Sequence, residues 1–118
     1  MEDTYKSFEG LTARELRKLI KTKGRKGDLN CTQNDSPTAK EMLALSKKYI
    51  NILYSGYVIG KPREDWRVSV EGFSIPDVSA EEAVALLLEF DNADEKTAEK
   101  CDVEPDGDLV YYMRFWWD

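Results

Sequence analysis

Any chemistry in this chain has to be built without histidine, because the sequence contains none. That removes the commonest general base, the usual nucleophile–histidine arrangements and most transition-metal ligand sets. Cys31 and Cys101 stand seventy positions apart, with neither metal spacing nor a base close by in sequence. The N-terminal Met-Glu-Asp-Thr-Tyr opens no export signal, so two reduced thiols are expected rather than a disulfide. Gly24-Arg25-Lys26-Gly27 lacks the spacing and the preceding strand of a phosphate-binding loop. Asp102-Val103-Glu104-Pro105-Asp106-Gly107-Asp108 places oxygens at alternate positions and glycine sixth, as a calcium loop begins. Its twelfth position is Met113, where a bidentate glutamate is required, so the segment reads as a solvated acidic turn. The 23 Asp and Glu residues include no pair marked out by spacing. The residues therefore predict no catalytic site, no metal and no cofactor: a protein that binds.

What the chain could bind with is set by its charge, which is split in two. Arg14 to Lys26 holds seven cations against Glu15, a local charge of +6, and Glu71 to Asp118 holds fourteen acids against three cations, −11. A molecule so polarised docks on a charged surface through one pole or the other. Glu81, Glu82, Glu89, Asp91, Asp94 and Glu95 form the candidate acidic face. If Glu81 to Asp108 forms a helix and a turn, that face is about 30 Å long at 1.5 Å per residue, and could occupy a basic groove on a nucleic-acid-binding effector. Arg17, Lys21, Arg25 and Lys26 are the candidate phosphate contacts of a basic helix over 12–27.

Leu11-Thr12-Ala13-Arg14-Glu15-Leu16, a basic helix, then Lys23-Gly24-Arg25-Lys26-Gly27-Asp28-Leu29 is similar to the first half of a SAP DNA-binding motif. The resemblance covers about nineteen residues and implies contact between this helix and the DNA backbone. The second helix of that motif does not follow, since Asn30 to Asp35 reads as loop. The other ligand-capable segment is the C-terminal run Tyr111 to Trp117. Tyr112, Arg114 and Trp116 share one face of a strand there, residue types common at interface hot spots and on stacking platforms. They could serve a partner, a homodimer made through this strand, or a nucleotide held in a dimer cleft.

These groups need elements to hold them. Thr12 and Glu15 predict a capping box for a first helix ending at a left-handed Gly24, with Leu16, Leu19, Ile20 and Lys23 on one face. Ser36 and Pro37 predict the start of a second helix. Ala39, Met42, Leu43, Ser46, Tyr49, Ile50 and Leu53 continue it to a fade between Leu53 and Gly56. Tyr57–Ile59 and Trp66–Val70 read as strands, the second extending past Gly72 through a bulge to Phe73 and Ile75. Ser79 and Glu82 cap a helix from Ala80 to about Phe90 that should bury Val84, Leu87 and Leu88, followed by a short polar helix from Ala93 to Cys101. Leu109 to Trp117 is dense in β-formers and reads as a central strand, or an edge covered by a partner.

The expected fold is one α+β domain over 1–118, with helices on an antiparallel sheet of three or four strands. The longest apolar run, Ala83 to Leu88, is far below the roughly 20 residues that span a bilayer, so a cytoplasmic address is expected. In size and composition the chain resembles the stoichiometric inhibitors that phages and other mobile elements direct against host defences, anti-CRISPR proteins among them. The resemblance implies a viral, anti-defence protein that blocks a host protein in the host cytoplasm. The alternatives are a nucleic-acid-binding regulator and a sponge for a nucleotide signal.

Overall fold

The computed structural model describes residues 4–32, 36–102 and 109–117. Its elements are β1 (Tyr5–Thr12), α1 (Ala13–Lys23), α2 (Ala39–Ala44), β2 (Leu53–Ile59), β3 (Arg67–Val78), α3 (Ala80–Glu89), β4 (Glu95–Asp102) and β5 (Leu109–Trp116). The strands form one antiparallel sheet in the order β1-β2-β3-β5-β4. The class is α+β, as expected, but with five strands instead of three or four. The acidic turn expected over Asp102–Asp108 lies, beyond Asp102, outside the described residues.

The two added strands are edges, and both are polar. β1 reads Tyr-Lys-Ser-Phe-Glu-Gly-Leu-Thr and leaves six of eight residues exposed, so it carries little apolar signal. β4 corrects the helix expected from Ala93 to Cys101. Glu95-Lys96-Thr97-Ala98-Glu99-Lys100 has fair helical propensity, but β5 offers it a full ladder from Glu95↔Trp116 to Asp102↔Leu109. Pairing outweighs a local preference worth only tenths of a kcal/mol per residue.

α1 forms as its punctuation predicts. The Thr12 side chain accepts from the Glu15 N–H at 3.1 Å and Glu15 accepts from the Thr12 N–H at 3.0 Å. Gly24 ends it in extended conformation (φ −85°), not left-handed. Glycine is needed there for space, since a Cβ would sit 2.5 Å from the Ile20 carbonyl oxygen and 2.9 Å from an Asp28 carboxylate oxygen. α2 is shorter than expected and starts later. Thr38, not Ser36, is its N-cap, in a capping box with Glu41, and after Ala44 the chain tightens into a 3₁₀ turn over Leu45–Lys47. The Ser46 hydroxyl donates to the Leu43 carbonyl at 2.7 Å, competing with helix propagation. Ile50, expected on the buried face, is 86% exposed, and Ile52 is buried instead.

β3 continues to Val78 through the expected bulge. Ser55 faces Gly72 while Gly56 faces Val70, which leaves Glu71 as the extra residue. The bulge has a purpose legible in parity: Val68 and Val70 must share a face with Phe73 and Ile75, and one inserted residue resets the alternation. That face carries the core, with Tyr54, Phe73, Met113, Phe115 and Trp117 at 0–1% exposure packed under the three helices. Phe73, Phe90, Phe115 and Trp117 form an aromatic cluster with ring centroids 5.1–5.9 Å apart. The fully buried Tyr54 donates its hydroxyl to the Met42 carbonyl at 2.7 Å and fastens α2 to the sheet. Among the described residues no helix is long and apolar enough to cross a membrane. Cys31 and Cys101 are exposed free thiols.

Candidate functional site: two opposed faces of the helical layer

α1 packs over β1, β2 and β3, and α3 over β5. α2 lies between them, sharing one groove with α1 and another, lined by Glu41, Leu45, Glu89 and Phe90, with α3. The basic and acidic helices therefore lie on opposite flanks of one helical layer.

The basic flank is a groove. A cavity of about 390 Å³ between α1 and α2 is lined by Arg17, Ile20, Lys21, Leu29, Lys40, Leu43, Ala44 and Lys47. Its floor is apolar and its rim carries four cations and no acid. Of the four residues expected to contact phosphate, only Arg17 and Lys21 meet here. Arg25 is turned away, its guanidinium 4.6 Å from the centroid of the Trp66 ring and hydrogen-bonded to the Glu64 carbonyl. Lys61 approaches the same indole at 4.5 Å. Lys26 is exposed on the turn beyond. The sequence reading missed Lys40 and Lys47, which replace them. Their seven-residue spacing, with Leu43 and Ala44 between, was the available signal.

The turn that holds Arg25 is organised by Asp28, which is buried. One of its carboxylate oxygens accepts from the Arg25 N–H at 2.7 Å and the Val68 N–H at 3.0 Å. It ties the end of α1 to the middle of the sheet, and so fixes one wall of the groove.

The acidic flank departs from expectation in a useful way. α3 buries Ala83 and Leu86, with Leu87 half-buried, while Val84 and Leu88 are 58% and 74% exposed. The reason is register: Leu86, Phe90 and Ala83 share the side that meets the aromatic cluster, and Val84 and Leu88 lie one turn apart away from it. Glu81 is exposed on the same side one turn before them, while Glu89 is exposed on the margin that faces α2. Glu82 is half-buried and bonded to the Ser79 cap at 3.1 Å. Asp91 pairs with Lys96 at 3.0 Å, and Asp94 and Glu95 are exposed where the chain enters β4. α3 has ten residues, about 15 Å, and the chain beyond it continues as the edge strand β4, so the described part of the acidic segment is a helix followed by a strand. The outer side of that helix carries a short apolar stripe, Val84 and Leu88, with Glu81 at its margin.

Tyr112, Arg114 and Trp116 occupy the sheet face opposite the helices. Arg114 lies 5.9 Å from the centroid of the Trp116 ring and 3.5 Å from a carboxylate oxygen of Glu9 on β1. This exposed pair bridges the small residues Ser55, Gly72 and Ser74 that lie between. On the same face Tyr5 stacks on Tyr57 at 5.5 Å, and Arg67 donates to the Tyr57 hydroxyl at 2.9 Å. That bond raises the Arg67 pKa further. β5 is flanked by β3 and β4, so its backbone offers no open edge, and the open edges belong to β1 and β4. Among the described residues no three His, Cys, Asp or Glu side chains converge as metal ligands.

Comparison with protein-family models, with characterised proteins and with solved structures finds no match. The reading of function therefore rests on these surfaces.

Proposed function

We propose that this protein is a non-enzymatic inhibitor that acts by stoichiometric binding to a host protein, in the manner of the anti-defence proteins of mobile elements, and that it docks through the outer face of α3. The observation that carries this is the exposure of Val84 and Leu88 beside Glu81. An exposed aliphatic stripe bordered by charge has the make-up of an interface, with an apolar centre for affinity and a charged rim for steering. A basic site with a small apolar patch, such as the nucleic-acid channel of an effector, is its complement.

The test is capture from nuclease-treated host lysate with three baits: the natural chain, Val84→Ser with Leu88→Ser, and Arg17→Ser with Lys21→Ser. We expect a protein held in stoichiometric amount by the first and third baits and lost from the second. Loss from the third bait alone overturns the reading and favours the groove, and nucleic acid carried by the natural chain before nuclease treatment favours the regulator. The apolar floor of that groove is better suited to an amphipathic ligand than to a phosphate backbone. A nucleotide sponge built on Tyr112, Arg114 and Trp116 would require Arg114 to leave Glu9.

A further inference from the structure

The two flanks match each other. The groove offers an apolar floor, chiefly Ile20 and Leu43, under the cations of Arg17, Lys21, Lys40 and Lys47. The outer side of α3 offers Val84 and Leu88 with Glu81 beside them. Neither surface can pair with its own kind, because the groove would meet four cations with four cations and α3 would meet acid with acid. We infer that α3 of one copy of this chain docks in the α1–α2 groove of another, a heterologous contact between two copies. Helix-in-groove docking of an amphipathic segment reads out apolar anchors one turn apart, and Val84 and Leu88 have that spacing. Opposite charges on the two margins orient the helix and exclude the like-with-like encounters.

The occupant is a second copy and not an arbitrary acidic helix because the chain carries the required face at its own surface, so every copy supplies both halves. The contact shares α3 with the docking surface assigned above to the host protein. It does not depend on that assignment, since it needs only this chain. If both hold, self-association masks the inhibitor at high concentration and dilution releases it. One groove and one two-turn stripe bury less than a standard interface, so the contact is weak and its measurement needs concentrations up to about 1 mM.

The experiment is sedimentation equilibrium of the purified chain. We expect the mass to rise above the 13.6 kDa of one copy with concentration, and to return to it in roughly 0.5 M salt, where screening shortens the reach of charge to a few ångströms. Val84→Ser with Leu88→Ser removes one half of the contact, and Arg17→Ser with Lys21→Ser removes the other. All four side chains are exposed, so both variants should keep the natural circular dichroism spectrum. Each variant alone stays at the mass of one copy. Their equimolar mixture forms a 1:1 pair of twice that mass, because one retains the groove and the other retains α3. A natural chain that stays at 13.6 kDa throughout, a variant that associates alone as the natural chain does, or a mixture that stays at one copy's mass overturns the inference. Host capture is unaffected by any of these results, so the two proposals fail separately.

Discussion

Tyr54 and Asp28 are the polar side chains on which the helical layer depends. Removing the Tyr54 hydroxyl leaves the Met42 carbonyl without its buried donor, so Tyr54→Phe should cost about 1–2 kcal/mol in chemical denaturation. Burial also raises the Tyr54 pKa well above the ordinary 10.0, outweighing the opposing pull of the Arg17 charge. The folded state then keeps a proton that the unfolded state releases, so stability is fully present below about pH 10 and declines as pH rises beyond it. Denaturation midpoints taken through that range should fall for the natural chain and fall less steeply for Tyr54→Phe. Asp28→Ala orphans the N–H groups of Arg25 and Val68 at once and should cost roughly 2–4 kcal/mol, read as a lowered denaturation midpoint. Asp28→Asn keeps an acceptor and should cost less. Neither role was legible in the sequence. Asp28 sits among Gly, Asn and Asp like any turn residue, and Tyr54 falls where a helix was expected to fade; their partners are 40 and 12 positions away.

Elements were legible where their signals are local. The Thr12–Glu15 capping box, the Ser79 cap and the dense β-formers of β5 act within a few residues, and each was found where the sequence placed it. Thr38→Ala should remove the cap that does start α2 and cost about 1 kcal/mol, with a matching loss of melting temperature. Hydrogen bonding from the Thr38 backbone holds the Glu41 carboxyl below its ordinary pKa, so the cap weakens as Glu41 protonates in acid. What was not legible depends on neighbours brought in from afar. β4 is a strand only because β5 stands beside it, and α3 exposes Val84 and Leu88 only because the aromatic cluster claims its other side. Val84→Ser with Leu88→Ser should therefore change unfolding free energy by no more than about 1 kcal/mol, about 0.5 for each surface position. A large loss would show that the stripe is core.

Over the whole molecule, the two poles seen in the sequence become two flanks separated by α2, which is what lets one chain present complementary surfaces in different directions. The same arrangement makes association sensitive to ionic strength in kinetics as well as in equilibrium. The on-rate for a basic target should fall with added salt more steeply than the off-rate rises, measurable by stopped-flow mixing once the target is in hand. The position of β5 has a consequence of another kind. A growing chain can pair β1, β2 and β3 as it emerges, yet three fully buried side chains, Met113, Phe115 and Trp117, and the one ladder that β4 makes among the described residues arrive with β5. Until β5 joins the sheet, Phe73 and Phe90 lack the two rings, Phe115 and Trp117, that complete their cluster, and apolar surface on β3 and α3 stays open to aggregation.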